Sequence, residues 1–594
     1  MKRKGFTLIE LLAVIVILAI IALIATPTIL SVIEKARKGA TEQSALGYID
    51  AIEKQIMIND TNNIQELKDG TYLVEDINIS YKGKGPTKGT VTIKKGEVTT
   101  TNLCFKTYSV DYDGTKATIS KNNYCKEDKV ILKEKENINE IAIENKKAVI
   151  DLTNYTDYTN IHCNNNAKLE IENNQLIVTN IIGEVTCQLD KTLEDTFSTL
   201  DDSSNSIMML SDETLSKEIT IEKNKNVTLD LNGKTLTYNG DKNLFKVNGN
   251  LTLNGNNGIV NGTGDSIYAE NSNLLINGGE YNKIYLKKSK STIRNTKHHC
   301  TNDILDCYPI VLAGGESLFD HILSSSKGKA FGIISNIKTN TTIKNSEFYC
   351  YNDNCVYING TGNTKIENTK IQSVGYALRN HSSGIVTIYN SQFEKLDVAT
   401  KTNRLVINDN NGIINIYSGN YKGKSPDKGA AGNETIINSS SGVINIYGGY
   451  FYSEYSSTIL ISGTNTEGII NIYDGIFESK DNHNIWNNYG IINIKGGKYI
   501  SNRNNIVMGY NGKININGGT FKTLSPGQNS SIDNRGEGII NICAATIDNQ
   551  TTLPELYNRS IGYIYYNPNN VAVLNVLDDN SPTHIISSDS IKCN

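Results

Sequence analysis

GIINIYSGNY, residues 412–421, is the segment that decides the fold. Variants of it begin at Gly384 (GIVTIYNSQF), Gly442 (GVINIYGGYF), Gly468 (GIINIYDGIF), Gly490 (GIINIKGGKY), Gly512 (GKININGGTF) and Gly538 (GIINICAATI). Successive copies start about 22–30 residues apart, the period of a solenoid coil. Residues two apart on a strand share a face. Val386, Ile414, Ile444, Ile470, Ile492, Ile514 and Ile540 therefore form one apolar column. Ile388, Ile416, Ile446, Ile472, Ile494, Ile516 and Ile542 form a second on the same side. After a small, often Gly-Gly corner, Phe393, Tyr421, Phe451, Phe477, Tyr499, Phe521 and Ile547 make a third, mostly aromatic column. One coil cannot bury its apolar face alone, whereas stacked coils share a continuous core. Asn415, Asn445, Asn471, Asn493, Asn515 and Asn541 have the opposite parity. They are expected to form a ladder of side-chain amides bonded from coil to coil.

Outward from these copies, weaker ones lie at 251–254, 273–281, 341–348 and 364–371. ITIEKNKNVTLDL (219–231), followed by Asn232-Gly233-Lys234, resembles the opening coil of many bacterial parallel β-helices. A right-handed parallel β-helix is therefore expected over 206–547, with about 13 coils rising about 4.8 Å each. Residues 548–594 are expected to be a β-rich cap. A β-sandwich array would place turns every 8–12 residues or so, which this spacing does not. Composition agrees: Gly 49 and Tyr 32 against Pro 8 and Trp 1, with abundant Asn, exclude a mostly helical chain. The net charge of -4, from 58 basic and 62 acidic residues, argues against a chain built to bind nucleic acid. Eight of the ten cysteines are close neighbours in sequence, and Cys104/Cys125, Cys163/Cys187, Cys300/Cys307 and Cys350/Cys355 read as local disulfides of an exported protein. Cys543 and Cys593 are a further candidate pair.

The N-terminus is different in kind. MKRKG (1–5) is basic, and 6–33 is almost wholly apolar, without a break over 11–25. Such a run is long enough to cross a bilayer of about 30 Å, with its start on the cytoplasmic side. Glu10 stands inside it, where a charge costs about 2.5–3.5 kcal/mol or more. A signal peptide would not carry that cost, and its apolar region is shorter. After Pro27, apolar residues recur at helical spacing from Ile29 to Ile56, so one helix is expected over 6–58. Alternating stretches at 74–81, 90–95, 104–111 and 115–120, with a turn at Asp113-Gly114, predict a small antiparallel sheet within 59–128. Residues 129–144 read as a charged linker, and strands at 167–171 and 175–179 predict a small disulfide-closed β module within 129–205.

KGFTLIELL (4–12) resembles the cleavage and methylation motif of type IV pilins and pseudopilins. The resemblance covers about the first 125 residues and is specific only in that motif. It implies a leader of residues 1–5, cleavage after Gly5 by a prepilin peptidase, and N-methylation of Phe6. It further implies that Glu10 pairs with the amino terminus of a neighbouring subunit and that Pro27 permits a kink in the helix. A buried carboxylate needs such an opposite charge. The fold class expected is thus an α+β pilin-like N-terminus followed by an all-β solenoid. The partners implied are other pilin subunits, a prepilin peptidase and the membrane, with a single-pass precursor passing to an extracellular filament or the cell surface.

The residues give little sign of catalysis, and no catalytic, metal or cofactor site is assigned. Asp409, Asp427, Glu434, Glu467, Asp474 and Asp481 are scattered among the repeats, with none of the carboxylate pairing a glycosidase needs. His298-His299-Cys300 lacks the ligand spacing of a zinc site. Lys82, Lys84, Lys88, Lys94 and Lys95 read as a solvated sheet edge rather than a DNA surface. Asp111 and Asp113 lack the ligand spacing of a calcium loop. Tyr389, Tyr417, Tyr447 and Tyr473 occupy one outward column and are the candidate surface for a glycan or host ligand. The expected function is a minor or tip pilin displaying an adhesin-like module or spacer. A pseudopilin of a secretion or DNA-uptake system and a surface-tethered polysaccharide lyase or glycosidase are the alternatives.

Overall fold

The computed structural model describes residues 8–61, 67–120, 125–134, 137–200, 204–300, 308–326, 329–334, 337–351, 354–396, 404–424, 433–463, 467–524, 529–573, 575–579 and 583–591. For 8–15, 17–28, 60 and 61 this extends to the backbone alone. Two compact units emerge, one formed by Met1–Lys191 with Thr199–Ile207, the other by Thr192–Ser198 with Met208–Asn594.

The first unit begins with α1 (Leu8–Thr61). Beneath its C-terminal half lies a five-stranded antiparallel sheet in chain order: β1 (Gly70–Leu73), β2 (Lys88–Lys94), β3 (Glu97–Phe105), β4 (Tyr108–Tyr112) and β5 (Ala117–Ile119). Ala45, Tyr48, Ile49, Ile52 and Ile56 recur at helical spacing on α1, and they bury against Val91, Ile93, Val98, Leu103 and Val110 of the sheet. Asp113 closes the β4–β5 hairpin: its Oδ1 accepts hydrogen bonds from the Thr115 and Lys116 amides at 2.9 and 2.8 Å. Cys104 and Cys125 are disulfide-bonded.

Local pattern misleads at three places in this unit. The expected strand over 74–81 is instead a short 3-10 turn, Val74–Asp76, followed by irregular chain. The expected strand over 104–111 is the β3–β4 hairpin, turned at Lys106 with φ 58°, where no Gly or Asn marks the corner. The expected linker over 129–144 is sheet: β6 (Lys129–Glu134), β7 (Asn137–Ile141) and β8 (Ile143–Glu144). Val130 and Leu132 are buried while their charged neighbours face outward, an alternation masked by the high charge. β6 runs parallel to a later strand, Glu184–Asp190, which also pairs with the strand Asn160–Cys163 across the Cys163–Cys187 disulfide.

The second unit is a parallel β-solenoid of about 14 turns. A representative coil has strands Ile413–Ile416, Gly419–Gly423 and Ile436–Asn438, each paired in parallel with its counterpart one coil on. The two isoleucine columns are fully buried, as parity requires. Within the aromatic column, the rings of Tyr421, Phe451, Phe477, Tyr499 and Phe521 stack at centroid spacings of 4.6–4.8 Å. Phe393 meets Tyr421 edge-on at 5.2 Å. Ile547, expected to end that column inside the core, is only half-buried. The amide ladder is continuous: Asn445 donates to Asn415, Asn471 to Asn445, Asn493 to Asn471 and Asn515 to Asn493 at 2.8 Å each, and Asn541 to Asn515 at 2.9 Å. Removing both bonds of a central rung with Asn471→Ala is expected to destabilise the solenoid by about 1–2 kcal/mol. A lower guanidinium midpoint in far-UV circular dichroism would show it; an unchanged midpoint would mean that the ladder adds no net stability.

A second set of asparagines lies inside. Asn408, Asn438 and Asn534, each fully buried at the end of the third strand, donate to the carbonyls of Gly412, Gly442 and Gly538. These glycines open the repeats. A Cβ at Gly412 would collide with the Ser382 carbonyl oxygen of the preceding coil, so close stacking itself demands Gly there.

Candidate functional site

Gly5 and Phe6 lie outside the described residues. Glu10 and Pro27 both fall within the continuous helix α1, with backbone alone described. Downstream, Ile29, Leu30, Val32 and Ile33 are 41–61% exposed. Among the described residues, nothing covers these four large apolar side chains, which is the state of a helix meant for lipid or for other helices. Among the described residues, no helix is long and apolar enough to cross a membrane, and the side chains of the run 11–25 lie outside that set apart from Val16.

On the solenoid, the parity that sends Ile414 and Ile416 inward sends Tyr417 outward. Tyr389, Tyr417, Tyr447 and Tyr473 stack face to face at 4.6, 4.6 and 4.7 Å, with interplanar angles of 11°, 14° and 11°. Both ends are closed by cations. Lys365 Nζ sits 5.2 Å from the Tyr389 ring centre, and Lys495 Nζ sits 4.8 Å from that of Tyr473. The tyrosines therefore cover one another's faces and present edges and hydroxyls to solvent. Partial burial and the adjacent Tyr473 and Tyr417 raise the Tyr447 phenol above its ordinary pKa, keeping it a neutral donor and acceptor. A sugar ring cannot stack on an internal face of this column without prising two rings apart. The capping lysines were not anticipated, although Lys495 carries a signal: it replaces the tyrosine of the repeat in GIINIK.

Three of the acidic residues of the repeats, Asp409, Glu434 and Asp474, are held by structural contacts. Asp409 meets Arg379 at 2.7 Å and His381 at 3.0 Å, while Glu434 meets Arg404 at 3.1 Å. Asp474 caps the Gly475 amide, Glu467 is exposed, Asp481 is half-buried, and Asp427 lies outside the described residues. His298 is packed into the core against Tyr281, and its burial holds its pKa down to about 3. Cys300 is disulfide-bonded, and Cys307 lies outside the described residues. Cys350 and Cys355 are bonded to each other. Cys543 is also in a disulfide, whereas Cys593 lies outside the described residues. Among the described residues, no group of three or more His, Cys, Asp or Glu side chains could hold a metal ion. In the first unit, Lys88 is paired with Asp128 at 3.1 Å.

Residues 1–26 match the family model described as the prokaryotic N-terminal methylation motif. No curated protein and no solved structure matches the chain. The chain therefore joins a type IV pilin-like N-terminal motif to a β-solenoid. The motif implies processing by a prepilin peptidase and assembly with other pilins, with a membrane-anchored precursor and a surface filament.

Proposed function

We propose that this chain is a minor or tip subunit of a type IV pilus or related filament, carrying its solenoid outward as an adhesin-like module or spacer. The observation that carries this reading is the continuity of α1. The methylation motif leads into an apolar run, then into uncovered Ile29, Leu30, Val32 and Ile33, and then into the turns that bury Ile49, Ile52 and Ile56 beneath the sheet. One helix thus serves a membrane or filament core at one end and its own domain at the other. The solenoid unit is far larger than the N-terminal one, and such bulk on every subunit would crowd a filament, so sparse or terminal incorporation follows. Contact with a glycan or host surface would use the tyrosine edges and hydroxyls and the insertions between coils.

Mass spectrometry of filaments sheared from the cell surface is expected to find this chain starting at N-methylated Phe6. Absence of the chain from that fraction, with Met1 intact in the chain recovered from the membrane, would refute the filament reading. On the same material, binding of unaltered glycans supports adhesion, release of new reducing or unsaturated ends supports an enzyme, and salt-sensitive DNA retention supports an uptake role.

A further inference from the structure

Lys395 breaks the rule of its own column. It occupies the inward position two residues after Phe393, on the strand Ser391–Lys395. Its register partner one coil earlier is Ser373. From Gly423 onward the column continues through Ser453, Ser479, Ser501 and Thr523. A lysine among small residues is 2% exposed, inside a solenoid core. Gly423, which follows Lys422, the partner of Glu394, makes the space one coil on. A Cβ at Gly423 would stand 2.7 Å from Thr435 Oγ1.

The Lys395 ammonium nitrogen contacts Oδ1 of Asn433, itself 1% exposed. Glu434, the next residue, is buried at 7% exposure and bonded to Arg404 and Ser456. Burial lowers the Lys395 pKa to about 8, with the nearby charge of Glu434 opposing that shift. A desolvated amine of this kind is a nucleophile near neutral pH.

We propose that Lys395 and Asn433 join spontaneously through an isopeptide bond. The neutral Nζ attacks Asn433 Cγ, and a tetrahedral adduct forms. One Nζ proton passes to the amide nitrogen by way of the Glu434 carboxylate, the Cγ–Nδ2 bond breaks, and ammonia leaves. The product is a secondary amide between the two side chains, with no oxidant or cofactor needed. The link joins residues 38 apart in sequence, so it fastens one coil to the next across the intervening insertion.

Peptide mapping of the full-length chain in detergent, after reduction of its disulfides, tests the idea. The expected product is a branched peptide containing Lys395 and Asn433, lighter by one ammonia than its two parts. Separate peptides with unmodified Lys395 and Asn433, in protein showing the far-UV signature of the folded solenoid, would overturn it. Asn433→Asp is expected to give the same branched peptide with loss of water instead, and Lys395→Arg to give none. Glu434→Gln is expected to leave most chains unlinked, with Glu434→Asp restoring part of the linkage. Undiminished linkage in Glu434→Gln would remove the carboxylate from the reaction.

Discussion

Replacing Glu10 with Ala is expected to take the chain out of surface filaments while leaving it in the membrane. Glu10 stands within the matched motif and two residues into α1. In an apolar helix the carboxylate is a liability unless an opposite charge reaches it, and the amino terminus of a neighbouring processed chain is the partner our reading supplies. Truncation strands that amine in apolar surroundings. Breaking a buried pair from one side costs about 3–5 kcal/mol, which corresponds to a fall in incorporation on the order of 100-fold or more. Insertion into the bilayer should not suffer, because Ala is the more apolar residue. Immunoblots of sheared and membrane fractions measure both quantities. Incorporation at the original level would leave the solenoid tethered to the cell but not part of a filament.

The second large effect is expected from Phe451→Ala. Phe451 is fully buried between Tyr421 at 4.7 Å and Phe477 at 4.8 Å. Truncation removes a ring from both stacks and leaves a cavity that flanking coils cannot close, because strand pairing fixes their spacing. The cost is about 3–5 kcal/mol. Coils contact mainly their neighbours, so the damage should be local. Limited proteolysis should cut within the coils around 421–477 before the rest of the solenoid yields. On the outer face, Tyr447→Ala loses two stacking contacts but creates no cavity, and is expected to cost about 1–2 kcal/mol. Equal sensitivity of the two variants to protease would contradict the division between core and surface columns.

The columns were legible because alternation on a strand is strict and the repeat is long enough to expose it. Ile414 must face inward once Ile416 does, and Asn415 must then face outward with its counterparts on either side. Three residues per third strand carry too short an alternation to read. Its middle position was therefore missed: Ile407, Ile437 and Leu460 point away from the core, yet bury in a small apolar cluster with Tyr376 and Trp486 packed against it. The hairpin at Lys106 was missed because its corner uses a residue that does not announce a turn. In the candidate surface, the alignment of the four tyrosines was visible, and so was a spacing close to the coil rise of about 4.8 Å; the face-to-face orientation of the rings was not. That orientation closes their faces and moves any recognition to their edges. Lys395 was legible by parity with Phe393, although only the folded chain brings Asn433 beside it.

Stacking of near-equivalent coils also bears on how such a molecule can change over generations. Duplicating one whole repeat would lengthen the solenoid by a single increment of about 4.8 Å and leave every inward column in register. Inserting a single residue within a strand would turn its isoleucines outward. Reach is therefore a trait that evolution can adjust in whole steps, like links added to a chain, without redesigning the links already present.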